Sequence, residues 1–146
     1  MFDTQIFDSI LDGGIDPNDL PAEFEYFSTH VQKDEIENIT DPDKMARKQK
    51  LLRIFNEIAA REIPTESTVW GKSRWGMGKW GTGKLFPHLL INNSKNTEDA
   101  LIGETAINNN LVLVTVDDKF MKRVVKNGGT AITFEQFKKD YMRSKQ

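Results

Sequence analysis

Two carboxylates flank a helix and a strand in the second half of the chain, an arrangement that suits metal chemistry. Thr97 can cap a helix whose first turn holds Asp99. The apolar, β-branched run at residues 111–116 is typical of a strand covered on both faces, as in a parallel sheet. Asp117 follows this run directly, at the carboxyl end where open α/β sheets place their sites. We therefore expect Asp99 and Asp117 to converge and to begin an acidic metal site.

The helix that carries Asp99 is predicted to present one continuous face. Asp99, Ile102, Gly103 and Ala106 are spaced i, i+3, i+4 and i+7, so they lie on the same side. Glycine lowers helix stability, so we expect Gly103 to let the helix lie close to a sheet. Three asparagines at residues 108–110 then end the helix.

A third carboxylate, that of Glu35, is expected to face inward. Residues 24–31 are rich in aromatic side chains and favour a short strand, and residues 32–39 return to helical spacing. Glu35 lies one turn after Val31 and one turn before Ile39, so it shares their apolar face. A carboxylate on an inward face is costly unless something compensates its charge, and a metal ion would do so.

The start of the chain predicts a short strand followed by a helix. Residues 1–3 form the stub of the strand, and Asp3 or Thr4 caps the helix behind it. Two glycines at residues 13–14 end this helix, whose apolar stripe consists of Ile6, Phe7, Ile10 and Leu11.

The middle of the chain predicts a long helix and another strand. Asp41 caps the helix, and the proline that follows it suits the first helical turn. Residues 62–69 favour a strand. The helix has an apolar stripe that consists of Met45, Leu52, Phe55 and Ala59.

The end of the chain continues the alternation of strands and helices. Residues 118–126 predict a basic helix, residues 130–132 a last strand, and Thr133 begins a capping box with Gln136. Alternating strands and helices favour a three-layer α/β/α sandwich around a central, mainly parallel sheet. At this length we expect a single domain that covers residues 1–146.

Composition limits the compartment and the partners. The sequence has no cysteine, which excludes disulfides and thiolate metal sites and fits a reducing compartment, so we expect a cytoplasmic protein. No apolar run is long enough to span a bilayer, and the start lacks a signal-peptide pattern, so no membrane partner is expected.

Charge is distributed unevenly along the chain. The net charge is −10 over residues 1–41, +7 over residues 42–96 and +1 over residues 97–146. An acidic end and a basic middle could hold a cation and a polyanion at once. The alternative is an acidic and a basic surface that are both simply solvated.

Residues 70–84 divide into three pentads, WGKSR, WGMGK and WGTGK. Five glycines in fifteen residues argue against a helix and favour a loop or hairpin. Indole rings beside cations suit single-stranded nucleic acid, because they can stack on bases and pair with phosphates. Alternatively, the tryptophans form a small core cluster with lysines at its rim. The candidate nucleic-acid-binding residues are Trp70, Lys72, Arg74, Trp75, Lys79, Trp80 and Lys84.

Four segments together resemble the PIN-domain nucleases, metal-dependent ribonucleases that include many bacterial toxins. FDTQ at residues 2–5 stands where the family has a strand ending in Asp-Thr-Asn, and THVQKDEI at residues 29–36 is similar to Thr-Ser-x-x-x-x-Glu-Leu. DALIGETA at residues 99–106 resembles Asp-Ala-Leu-Ile-Ala-x-x-Ala. VTVDDKF at residues 114–120 resembles a strand ending in Val-Thr-x-Asp-x-x-Phe. The order matches, and the resemblance spans nearly the whole chain.

Three features depart from the family pattern. Only two residues precede Asp3, so either the first strand is shorter than usual or the true start lies upstream of Met1. Gln5 replaces the usual asparagine, which leaves open how Asp3 is hydrogen-bonded. The pentads at residues 70–84 are no part of the general pattern and leave the substrate and the partner open.

The resemblance implies a PIN-like fold and a site that binds Mg²⁺ or Mn²⁺ through hard oxygen ligands. The implied catalytic residues, which would also hold the metal, are Asp3, Glu35, Asp99 and Asp117. Three further residues are candidates to support them by hydrogen bonding, helix capping or charge, namely Thr115, Asp118 and Glu98.

The function implied by this resemblance is metal-dependent endoribonuclease activity on single-stranded RNA. One form of it is the toxin of a toxin–antitoxin pair, with an antitoxin protein as partner. The alternatives are a non-catalytic PIN-like module that binds nucleic acid or protein, and a structure-specific DNA nuclease. The sequence leaves open whether the protein is a homodimer, and whether one or two metal ions bind.

If the pentads hold RNA, replacing Trp70, Trp75 and Trp80 with alanine should weaken RNA binding. Each stacked base contributes about 1–3 kcal/mol, so the loss of one contact is measurable in a titration with labelled RNA. Changing the four cations of the segment to glutamine should also flatten the salt dependence of binding, because fewer counterions are released.

Thermal melts of the same variants test the alternative. A core cluster predicts that the tryptophan variant loses several kcal/mol of stability, while the cation variant loses almost none. Unchanged RNA affinity together with a collapsed melting transition in the tryptophan variant would contradict the RNA-binding hypothesis.

Overall fold

A computed structural model describes residues 1–58, 60–65, 89 and 97–142 of the chain. These residues form a mixed α/β structure with short parallel strand pairs. The helices are α1 (Thr4–Asp12), α2 (His30–Glu37), α3 (Met45–Ile58), α4 (Thr97–Asn108), α5 (Asp118–Lys126) and α6 (Phe134–Tyr141). The strands are β1 (Phe27–Ser28), β2 (Arg61–Glu62), β3 (Val112–Thr115) and β4 (Thr130–Thr133). Within this described part, no helix is both long and apolar enough to cross a membrane.

The strands form two parallel pairs. β1 pairs with β2, and β3 pairs with β4 from Val112 opposite Thr130 to the last residue of each strand. The first residues of the chain extend the second pair, because Phe2 bridges to Val114 in parallel and the Asp3 N–H donates to the Val114 carbonyl at 2.9 Å. The prediction of a single central sheet in a three-layer sandwich stays a prediction, since the described strands form two separate sheets.

Apolar clusters lie on both faces of β3. Leu113 and Val114 are neighbours in the strand, and their side chains point to opposite sides. The Val114 side contains the apolar faces of α1 and α3 and both buried phenylalanines of α6. The Leu113 side contains α4 and the buried residues of α5, Phe120 and Val124. The prediction of a strand covered on both faces is confirmed for these two central residues.

Helix α4 is buried almost all the way round. Residues 100–106 are all buried, which includes the predicted inward positions Ile102, Gly103 and Ala106. The prediction that Gly103 lies close to a sheet is wrong. A Cβ on Gly103 would lie 3.1 Å from Phe120 Cε2 and 3.3 Å from Val124 Cγ2, so the close approach is to α5.

Helix α2 begins earlier than predicted and shortens the strand before it. Thr29 caps the helix, with its side chain accepting from the Val31 N–H, so only two residues of the predicted strand at 24–31 are extended and paired. Gln32 completes a capping box by accepting from the Thr29 N–H at 2.9 Å. The Gln32 amide also donates to the Phe2 carbonyl at 3.1 Å, which ties α2 to the start of the chain.

The capping box predicted at the last helix forms only in part. The Thr133 side chain accepts from the Gln136 N–H at 3.1 Å, as expected for a cap. The Gln136 amide does not return this bond, because it donates to Asp140 at 2.6 Å on the exposed side of α6.

Two further boundaries differ from the prediction. Helix α3 follows a single 3₁₀ turn at Pro42–Lys44, which Asp41 caps as predicted. Its buried residues are Leu51, Ile54 and Phe55, of which Phe55 belongs to the predicted stripe, because α1 and α2 pack against this side. Met45 and Leu52 are half-buried beside it, and residue 59 lies outside the described part. The strand predicted at residues 62–69 begins at Arg61 as β2, and residues 66–69 lie outside the described part.

We expect Gln32→Leu to destabilise the fold by about 2–4 kcal/mol, because it removes hydrogen bonds from buried groups without offering a replacement. Gln136→Leu is the matched control, since Gln136 occupies the same position of the first turn of α6 but is exposed. The control should change stability by less than about 0.5 kcal/mol. Equal losses for the two variants in urea unfolding would contradict this role of Gln32.

Candidate functional site

Asp3 lies buried at the carboxyl end of the first chain segment, with 3 % of its surface exposed. Its backbone is fixed by pairing with β3, and its side chain caps α1 by accepting from the Thr4 N–H at 2.7 Å. Its other carboxylate oxygen, Oδ2, accepts from the Thr115 hydroxyl at 2.9 Å. Strand pairing and helix capping therefore both hold this carboxylate inside the protein.

Thr115 links two of the predicted acids. It is the last residue of β3 and is fully buried. While its hydroxyl donates to Asp3, its Oγ1 accepts from the Asp117 N–H at 3.0 Å. Asp117 in turn caps α5, with Oδ1 accepting from the Phe120 N–H at 3.0 Å. One threonine hydroxyl thus joins the segment that carries Asp3 to the turn that carries Asp117.

Glu35 approaches the same region from α2. Its Oε1 accepts from the Thr4 hydroxyl at 2.7 Å, so the residue next to Asp3 holds this carboxylate. Burial, with smaller repulsions from carboxylates that include Asp3, Asp99 and Glu98, raises the pKa of Glu35 from 4.5 to about 7, although the Thr4 hydrogen bond acts in the opposite direction.

Asp99 reaches the cluster from the first turn of α4. Burial raises its pKa from 3.8 to about 7, and repulsion from Asp3 and Asp117 adds to this effect. Arg123 on α5 partly opposes the shift. Repulsion between Asp99 and Asp117 is consistent with the predicted convergence of these two acids, which stays a prediction.

The pKa of Asp3 is also raised above its usual value, mainly by burial. Hydrogen bonds from Thr115 and Thr4 act against this shift, and repulsion from Asp117 adds to it. The four predicted acids therefore form one electrostatically coupled group built from the start of the chain, α2, α4 and the end of β3. Each of these carboxylates is repelled by at least one of the other three.

Their present arrangement is not a closed metal cage. Within the described residues, no three His, Asp or Glu side chains converge tightly enough to form a ready-made cation site. Both oxygens of Asp3 accept hydrogen bonds from protein groups. The set nevertheless fits Mg²⁺ or Mn²⁺ chemically, because Mg²⁺ keeps several waters and is usually held by only one or two carboxylates. The buried, mutually repelling carboxylates supply the negative charge and the hard oxygen atoms that such an ion requires.

The three predicted supporting residues have different positions. Thr115 bridges Asp3 and Asp117 as described, and Glu98 lies close enough to raise the pKa values of Glu35 and Asp99. Asp118 is exposed and pairs with Lys122 at 2.8 Å on the outside of α5. Asp117, not Asp118, caps this helix.

Sequence reasoning assigned no site role to Thr4, Gln32 or Arg123. Thr4 was visible as the residue after Asp3 in the first motif, and its hydroxyl could have been matched to a nearby acid. Gln32 had a local signal, because it stands three residues after Thr29 in a capping-box pattern. Arg123 had no local sequence signal, since its effect on Asp99 depends on how α5 packs beside α4.

The predicted nucleic-acid-binding residues of the pentads lie outside the described residues. Comparison of the chain with protein-family models, with curated proteins and with solved structures gave no match.

We expect Asp99→Asn to gain stability relative to wild type as the pH rises, when divalent cations are absent. A raised carboxyl pKa contributes stability that is fully present below the unfolded value and is lost as the pH rises through the folded value. For Asp99 this window runs from 3.8 to about 7. The melting temperature of the variant minus that of wild type, measured in EDTA, should therefore be more positive at about pH 8 than at about pH 5.

Asp118→Asn is the control for this measurement, because Asp118 is exposed on the outside of α5. The melting temperature of this variant minus that of wild type should be the same at the two pH values. If the difference in melting temperature between Asp99→Asn and wild type does not change with pH, Asp99 does not experience the repulsion described here.

Proposed function

We propose that this protein is a metal-dependent endoribonuclease with a PIN-like, three-layer α/β/α fold. The observation that carries the proposal is the coupled group of carboxylates at the carboxyl end of the parallel strands, where Glu35 and Asp99 have pKa values of about 7. Buried carboxylates that repel one another cost folding energy, and a cation would remove this cost. The four motifs that resemble the family contain these same acids.

The proposed reaction is hydrolysis of a phosphodiester bond in single-stranded RNA. When bound, Mg²⁺ or Mn²⁺ supplies Lewis acidity toward the phosphate group and toward water. The residues that would hold the cation are Asp3, Glu35, Asp99 and Asp117. Phosphoryl chemistry of this kind relies on positioning and charge, and it needs no side-chain nucleophile.

Two threonines would position the acids for this reaction. The hydroxyl of Thr4 holds Glu35 Oε1, and the hydroxyl of Thr115 holds Asp3 Oδ2. Because the backbone of both threonines is fixed, in α1 and in β3, their hydroxyls fix the directions of the two carboxylates. The positive charge of Arg123 near Asp99 favours the ionised form of this acid.

The biological setting that fits this proposal is a cytoplasmic nuclease whose substrate is RNA. A toxin that is neutralised by an antitoxin protein is one such setting. The identity of the neighbouring gene separates this setting from a housekeeping nuclease.

We expect purified protein to cut single-stranded RNA when Mg²⁺ or Mn²⁺ is present and to stop when EDTA is in excess. Asp99→Asn and Asp117→Asn should each lower the cleavage rate by at least about a hundredfold, because each removes an oxygen ligand and a charge. The rate is measured on labelled RNA, with a single-stranded DNA of the same sequence as a second substrate.

Asp118→Asn is the matched control, since it removes a carboxylate one residue from Asp117 that pairs with Lys122 on the outside of α5. It should cut RNA at nearly the wild-type rate. Cleavage that survives excess EDTA, or equal losses for Asp117→Asn and Asp118→Asn, would overturn the proposed function. Binding of RNA without cleavage under all metal conditions would favour a non-catalytic module.

A further inference from the structure

An aromatic cavity of about 250 Å³ lies beside β3 and has none of the four acids in its walls. Its walls come from the segment that leads into β1, from the start of β3 and from α6. We call it the aromatic pocket, and its principal walls are Phe2, Phe24, Tyr26, Val112, Phe137 and Tyr141. The rings contact one another, with the centroids of Phe24 and Tyr141 5.0 Å apart and those of Phe2 and Tyr26 5.4 Å apart.

The mouth of this pocket carries an unusual share of the exposed apolar surface. Among the described residues, five large hydrophobic side chains are exposed, and three of them line the pocket: Phe24, Val112 and Tyr141. Their exposures are 38 %, 45 % and 46 %. Single exposed hydrophobic residues are ordinary, but a contiguous apolar patch marks a surface that binds something.

Among the described residues that line this pocket and the depression next to it, the charged side chains are acidic. Glu25 lines the pocket itself, and its side chain is exposed. Tyr141 also lines a second depression, whose other walls include Glu23 and Asp19. Arg61 stands 3.8 Å from Glu25, but both side chains are largely exposed, so this pair leaves the acidic character in place.

The pocket is lined by none of the four acids of the cluster. Val112 is the first residue of β3 and lines the pocket, whereas Thr115 is the last and binds Asp3. A partner at the pocket therefore need not contact any of the four acids. The inference is independent of the proposed nuclease activity.

We propose that the aromatic pocket binds a basic amphipathic peptide segment of a protein partner. An apolar side chain of the partner enters the pocket beside the contacting rings of Phe24 and Tyr141, and basic side chains lie beside Glu23 and Glu25. Small-molecule sites usually measure about 300–1,000 Å³, so a cavity of 250 Å³ suits an inserted side chain better than a whole cofactor. The acidic rim provides the charge complementarity that selects a basic partner.

The probe is a short, dye-labelled peptide with leucine and arginine at helical i and i+4 spacing, and its binding is followed by fluorescence anisotropy. A second peptide with glutamate in place of each arginine is the charge control. We expect the full-length protein to bind the basic peptide at least about tenfold more tightly than the acidic one. Added salt should reduce this preference, because the acidic rim is exposed.

Two sets of variants locate the binding surface. Phe24→Ser and Tyr141→Ser should each weaken binding of the basic peptide by about tenfold or more. Val125→Ser is the control, since Val125 is 52 % exposed on α5 and is not a wall of the pocket. The double variant Glu23→Gln and Glu25→Gln should remove the preference for the basic peptide, whereas Glu57→Gln, on the exposed side of α3, should not.

Circular dichroism establishes whether each variant folds. If Phe24→Ser does not fold, the peptide affinity of Tyr141→Ser alone tests the proposal. Equal affinity for the two peptides, absence of peptide binding, or equal losses for Val125→Ser and Tyr141→Ser would overturn the proposal. A small apolar dye that binds where neither peptide does would assign the pocket to a small molecule and overturn it. A wild-type dimer that Tyr141→Ser converts to monomer would assign the pocket to a second copy of the chain, which also overturns it.

Discussion

The burial of the Asp3 carboxylate is the constraint on which the rest of the site depends. A buried carboxylate must receive hydrogen bonds or lose its charge. Asp3 receives them from the backbone of Thr4 and from the hydroxyl of Thr115, and both donors are fixed by regular secondary structure. The same two threonines extend the arrangement outward, because Thr4 also holds Glu35 and Thr115 also holds the turn before α5. Hydrogen bonds to Asp3 thus organise a site that charge repulsion alone would disperse.

Two acids of the site lie at the ends of secondary-structure elements rather than within them. Asp3 and Asp117 are both N-caps, so each serves a helix and the acidic cluster at once. Helix N-termini favour negative charge, which partly offsets the repulsion among the acids. Glu35 and Asp99, by contrast, lie within helices and have pKa values of about 7. The acids therefore divide into two that are N-caps and two that lie inside helices, of which Asp99 is in the first turn of α4.

Local patterns were sufficient to place the acids on their elements. The apolar run before Asp117 and the helical spacing around Asp99 are local signals, and both elements exist close to the predicted bounds. Contacts that join distant segments gave no such signal. The face of Gly103 could not be assigned, because spacing identifies a face but not the element against which it packs. The 24–31 strand was overestimated because Thr29 already caps α2, so only Phe27 and Ser28 pair. The single sheet and the metal stay predictions.

The bond between Thr115 and Asp3 joins residues that are 112 positions apart in the chain. A ribosome adds about 5–20 residues per second, so the partner of Asp3 is synthesised on the order of ten seconds after Asp3 itself. Until β3 has left the ribosome, α1 and α2 can form, but the carboxylates of α4 and of the turn after β3 do not yet face them. The acidic cluster is therefore absent from every shorter nascent chain. If this cluster cleaves RNA, the activity appears only after nearly the whole domain has been made, so the translating ribosome is not exposed to it during most of synthesis.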